Sequence, residues 1–203
     1  MNWTAGCGPG RRNRTNPKRC PALEGRSLIS PEEQIVRIRA ALAARRDADF
    51  LVIARSDADS VSQAELIERC NRYLAAGADI AMPICVVVDG RPISNIDPDG
   101  QMEVLAKLAR AIDGPVKTVM IPQGYMAQDM GAIGYSIAGL TGGPIEAAVN
   151  AMHGAYASLR QTGSEEAYRN ANPPVLPAPG GVMRLLGLEE HLAFERRFAE
   201  AEG

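Results

Sequence analysis

Phe50-Leu51-Val52-Ile53-Ala54-Arg55-Ser56-Asp57-Ala58 decides how the rest of this chain is read. Residues 50–55 form a near-continuous apolar run, as a strand buried on both faces requires, and the run ends in a charged cluster. Upstream, Ser30 has the character of an N-cap, with Pro31 at the first helical position and Glu32 and Glu33 in the first turn. That signal opens a helix to about Arg46, with Ile35, Ile38 and Leu42 on its buried side. Downstream the alternation repeats. A helix over about Ser62–Ala76 stops at Gly77, and a short strand covers Asp79–Pro83. Residues 84–98 read as a loop punctuated by Gly90, Pro92 and Pro98. A helix spans about Gly100–Ile112, ended by Gly114-Pro115, and a strand spans Val116–Ile121. A short helix follows around Met126–Ile133, then a strand at Tyr135–Ala138 and a helix from Pro144 to about Leu159. Strands alternating with helices at this spacing predict βα units on a parallel sheet, an α/β fold.

The two ends depart from that rhythm. Residues 1–16 are rich in Gly, Arg and Asn, carry no period, and read as an irregular basic segment. Residues 17–170 hold the repeating units, and residues 171–203 an extended linker followed by a helix over Leu185–Ala201. That helix carries an apolar stripe of Leu188, Leu192, Phe194 and Phe198, which a neighbouring subunit or its own domain must cover.

The 203 residues suffice for one full core, and 46% hydrophobic with 23% charged residues is ordinary for a globular chain. A net charge of −2 argues against a general nucleic-acid binder. Arg11, Arg12, Arg14, Lys18 and Arg19 precede the first acid, Glu24, but no aromatic residues interleave with them. No apolar run approaches membrane-spanning length and no signal peptide is visible, so the expected setting is a reducing cytoplasm, without membrane or nucleic-acid partners. Cys7, Cys20, Cys70 and Cys85 include no C-x-x-C pair, and with two histidines a zinc site is not expected. Cys70 and Cys85 lie in apolar stretches and read as buried thiols. Cys20 differs, because Pro17-Lys18-Arg19-Cys20 sets a thiol among cations. Such neighbours lower a thiol pKa and attract anions, although an unreactive loop thiol is equally compatible with the residues alone.

Taken together these motifs resemble the isocitrate lyase and phosphoenolpyruvate mutase superfamily, in particular its methylisocitrate lyase-like members. The stretch KRCPALEGRSLISPEEQIVRIRAALAARRDADFLVIARSDA carries the likeness, continued by ERCNRYLAAGADIAMP, GAIGYSIAGL and LLGLEEHLAFERRFAE. The resemblance implies a TIM-type (β/α)8 barrel with a terminal helix exchanged between subunits, hence a homo-oligomer joined through the C-terminal helix. Only the C-terminal half of that barrel has a counterpart, so the chain reads as truncated at its N-terminal side. The implied chemistry is carbon–carbon bond cleavage, or decarboxylation, of small 2-hydroxy or 2-oxo carboxylic acids with magnesium as Lewis acid. Cys20 then matches the loop acid that protonates the enolate, with Lys18 and Arg19 drawing in the substrate. Arg55 matches the strand-end carboxylate clamp, and Asp57 orients it. A Cys at position 20, where carbon–phosphorus mutases and hydrolases usually carry Asn, favours the lyases.

The departures bear on activity. Pro21-Ala22 replace the family's Gly-His, and Ile84, Val119 and Ile121 stand where polar groups are expected. Glu146 stands where a second carboxylate-binding Arg is expected, and the acidic magnesium ligands of the early strands have no counterpart. Impaired chemistry, or a role in assembly without chemistry, is therefore a second expectation.

Overall fold

The computed structural model describes residues 3–5, 28–140, 143–175 and 181–199. The chain divides into two compact units, residues 1–141 and 142–203.

In the first unit the three long helices start where the sequence supplies a cap. Helix α1 (Pro31–Ala44) begins at Ser30, whose hydroxyl accepts the Glu33 N–H at 3.1 Å. Helix α2 (Gln63–Ala75) begins at Ser62, which accepts from Glu65 N at 3.0 Å. Helix α3 (Pro98–Ala111) begins at Asp97, which accepts from Gly100 N at 3.0 Å. Each cap satisfies a backbone donor that the first turn leaves without a partner. Asp97-Pro98 repeats the Ser30-Pro31 signal, which places the α3 start two residues ahead of the sequence expectation. Gly77 ends α2 at φ +103, and a Cβ there would meet Leu42 Cδ1 at 2.9 Å, so both backbone conformation and helix packing require glycine.

Strand β1 (Trp3–Ala5) pairs in parallel with β2 (Val52–Ser56), and β2 with β3 (Ile80–Pro83). Part of the N-terminal segment read as irregular is therefore a strand. The sheet continues through a parallel bridge from Ala81 to Val116. Strand β6 (Lys117–Thr118) then pairs in parallel with β7 (Ile137–Ala138). Neighbours follow chain order and successive strands are joined through helices, as βα units demand. The start of β2 is pinned by Asp79, whose carboxylate accepts from Val52 N at 2.7 Å and from Arg45 Nη1 at 3.0 Å.

Two expectations change in detail. The strand expected over Val116–Ile121 stops at Thr118, because its hydroxyl donates to Met120 O at 2.8 Å and accepts from Met120 N at 3.2 Å. Those local bonds occupy groups that a longer ladder would use. The expected loop 84–98 contains a hairpin, β4 (Val87–Val88) against β5 (Arg91–Pro92). Asp89 (φ 50) and Gly90 (φ 75) turn it, the pattern of a two-residue Asp-Gly turn.

The helices cover one face of the sheet. Leu66 and Cys70 of α2, Leu105 and Leu108 of α3, Ala81, Val116 and Met130 of α4 (Ala127–Ala132) form the main core. Ile38, Ala54, Tyr73 and Ala78 form a second cluster under α1, with Ile35 and Leu42 against it. The opposite face holds a third cluster of Ile53, Ile80, Met82 and Ile84, joined by Leu51, Val86, Val119 and Ile137. Among the described residues no helix contributes to that third cluster.

The second unit consists of α5 (Gly143–Thr162), α6 (Glu166–Ala171), α7 (Gly181–Leu185) and α8 (Leu188–Ala199). Gly154 lets Tyr168 of α6 approach α5, since a Cβ there would lie 2.7 Å from the ring. The single helix expected over Leu185–Ala201 is broken at Gly187, which takes φ +86 between α7 and α8. No residue of α5 is buried.

Candidate active site

Alternation along β2 sends Val52, Ala54 and Ser56 toward the helices, and Ile53 and Arg55 to the helix-free face. Asp57 follows directly on the strand's C-terminal end. The Arg55 guanidinium donates through Nε to Asp57 Oδ1 at 2.5 Å and through Nη2 to Oδ2 at 2.7 Å. The two side chains are 19% and 16% exposed, so the fork is half shielded yet reachable. A bidentate pair of this kind fixes the guanidinium plane. The structure thus brings together Arg55 and Asp57 as the sequence expects. Cys20, Lys18 and Arg19 lie outside the described residues.

Asp59 is buried and its Oδ2 accepts from Val86 N at 2.9 Å and from Val87 N at 3.0 Å. It ties the turn after β2 to the segment after β3, and so holds the two strand ends side by side. Sequence reasoning passed over it. The available signal was a second acid two residues after Asp57, in a turn that no helix cap or exposed face explains.

Lys117 on β6 was also missed. Its register partner is Ile137, a member of the helix-free cluster, so it stands on the same face as Arg55. Burial lowers its pKa below the ordinary lysine value. Ile84 and Val119 are members of the apolar cluster on that face.

The expected buried thiols are buried. Desolvation pushes Cys70 up to about 12 and Cys85 up to about 11, so neither supplies a thiolate near neutrality. His153 and His191 sit on α5 and α8 in the second unit, where both are exposed. Among the described residues no group of three or more His, Cys, Asp or Glu side chains could hold a metal ion. The described residues therefore do not fit a magnesium cage. Nor, among them, is any helix long and apolar enough to cross a membrane.

The phosphoenolpyruvate phosphomutase family model matches residues 16–160. The chain belongs to this family. It therefore sits within the isocitrate lyase and phosphoenolpyruvate mutase superfamily that the motifs indicate. Probable 2-methylisocitrate lyase 1 of Corynebacterium glutamicum is 31% identical over 140 residues, covering 60% of this chain and 46% of that protein. The 2-methylisocitrate lyase of Aeropyrum pernix is 50% identical over 68 residues, covering 33% of this chain and 21% of that protein. The chain thus spans half or less of the length of these curated relatives. Among solved structures, phosphoenolpyruvate phosphomutase from Streptomyces platensis subsp. rosaceus superposes with a TM-score of 0.69 at 25% identity, covering 91% of this chain and 61% of that one. Phosphonopyruvate hydrolase, solved with oxalate and magnesium, gives a TM-score of 0.64 at 30% identity, covering 85% and 57%. The fold is the α/β fold of this superfamily.

Proposed function

We propose that this chain carries part of a carbon–carbon lyase or decarboxylase site for small 2-hydroxy or 2-oxo acids. The forked Arg55–Asp57 pair at the C-terminal end of a parallel strand carries this reading, since such strand ends are where barrel enzymes place their chemistry. Arg55 holds a substrate carboxylate and Asp57 keeps the guanidinium plane in place. Cys20, from the Lys18-Arg19-Cys20 segment, donates the proton that quenches the enolate after bond cleavage. Phosphonopyruvate hydrolase is solved with oxalate and magnesium, an ion that would supply Lewis-acid stabilisation of an enolate, and the described residues here assign no ligand to it. The name of the C. glutamicum relative favours a hydroxy-tricarboxylate class, and Cys20 favours lyases over carbon–phosphorus enzymes.

The test is release of pyruvate or glyoxylate from a panel of hydroxy acids by the full chain, with and without magnesium. Turnover that falls by roughly a hundredfold or more in Arg55→Lys and in Cys20→Ser supports the reading. No turnover by the unaltered chain, or none of that dependence, sinks it.

A second reading is assembly without chemistry. The apolar row Ile145, Val149, Met152, Tyr156 and Leu159 along α5 favours it, because every one of these is exposed. On this reading the helices of the second unit join copies of the chain into a homo-oligomer.

A further inference from the structure

The row of side chains that crosses the helix-free face at the level of Arg55 can be followed strand by strand. Arg55 pairs with Met82, and the bridge from Ala81 to Val116 sets Met82 level with Lys117. Lys117 in turn pairs with Ile137. Arg55 and Lys117 are thus the two cations of one row, two strand spacings or about 10 Å apart at the backbone. Their circumstances differ. Arg55 has two donors committed to Asp57, and that pair is neutral overall. Lys117 has no carboxylate partner among the described residues, and its one hydrogen bond runs to Thr118 O at 3.4 Å. Met82 and Ile137 flank it with apolar surface. Gly139 keeps space for the ammonium, since a Cβ there would lie 3.1 Å from Nζ and 2.6 Å from Thr118 O. The amine is therefore carried toward the C-terminal end of the strands rather than into the core.

A half-shielded ammonium with no counter-ion is costly, and an anion that displaces water beside it relieves that cost. The alternative is a lysine that merely extends its head into solvent. That alternative leaves unexplained both the lowered pKa and the glycine that gives Nζ its place. We propose that Lys117 is the cation that binds the carboxylate of a small ligand on this face, with the partly buried Ile137 receiving the ligand's apolar end. The ligand class is a short monocarboxylate with an apolar tail, such as a 2-oxo acid. Its being a carboxylic acid rests on the function proposed above. Lys117 is then a binding residue that adds to, and is distinct from, the Arg55 fork.

The chain has only three lysines, Lys18, Lys107 and Lys117, which makes a direct test clean. Calorimetric titration of the full chain with pyruvate is compared with Lys117→Met and Lys117→Arg. Binding weakened roughly tenfold or more in Lys117→Met and largely kept in Lys117→Arg supports the assignment. In the unaltered chain affinity should fall as pH rises through the lowered Lys117 pKa, and stay flat in Lys117→Arg. The other titratable groups on this face among the described residues are Arg55 on β2 and Asp57 directly after it. As a second measurement, the ¹³C signal of dimethylated Lys117 should shift to a higher pKa when pyruvate is added, with Lys107 unmoved. Equal binding by Lys117→Met, equal loss in Lys117→Met and Lys117→Arg, or an unshifted Lys117 signal overturns the proposal. Pyruvate binding through Lys117 without any turnover sinks the lyase reading alone, and turnover indifferent to Lys117 sinks this proposal alone.

Discussion

The two units use the same device with opposite outcomes. In the first, amphipathic helices lay their stripes on a sheet, and Leu66, Leu105 and Leu108 become almost wholly buried. In the second, α5 carries an equally regular stripe at steps of four, three, four and three residues, yet Ile145 is 71% and Tyr156 70% exposed. Alternating steps of three and four are the seam spacing of paired helices. The difference teaches that amphipathicity fixes which side of a helix needs cover, not whether the same chain provides it. Glu146 near the start of α5 and Arg160 near its end also let two antiparallel copies meet with opposite charges.

Core truncation should separate the units most strongly. Leu66→Ala is expected to cost about 2–5 kcal/mol in urea denaturation, whereas Ile145→Ala should cost less than about 0.5 kcal/mol in a dilute sample. An equal cost at both sites would break the comparison. The buried thiols come next. Their folded pKa values lie above the ordinary thiol value of 9.0, so the stability they contribute is fully present below pH 9 and is lost as pH rises toward 11 or 12. Between pH 8 and 11 the unaltered chain should lose on the order of 2 kcal/mol more than Cys70→Ala does, read from melting curves. Loss of a cap is smaller. Asp97→Ala should cost about 1 kcal/mol through Gly100 N, and Ser30→Ala about the same through Glu33 N. The smallest effect has the opposite sign. Ser56 Oγ is buried without a hydrogen-bond partner, so Ser56→Ala should leave stability unchanged or raise it by up to about 1 kcal/mol.

The sequence made the first unit's plan legible because its signals are local. Ser30-Pro31, Ser62 and Gly77 mark boundaries with a few atoms each, and the apolar run before Arg55 marks the central strand. The hairpin at Asp89-Gly90 carried an equally local signal, overlooked because Pro92 suggested a loop. Thr118 ends its strand by bonding two residues onward, which a count of apolar residues does not register. The site was half legible. Arg55 and Asp57 stand two residues apart in the chain, so their fork needs no tertiary information. Lys117 reaches the same face only through pairing across three strands, and Asp59 acquires its role from backbone 27 and 28 residues away. Long-range registers of that kind are set by the sheet and leave no mark on a local pattern.

Backbone hydrogen exchange at two protein concentrations tests the contrast between the units most directly. Amides of β2, β3, α2 and α3 should exchange slowly at both, while those of α5 should be fast when dilute and become protected as concentration rises. Slow exchange throughout α5 at the lowest concentration would contradict the account, since the cover for its apolar row would then come from within one chain.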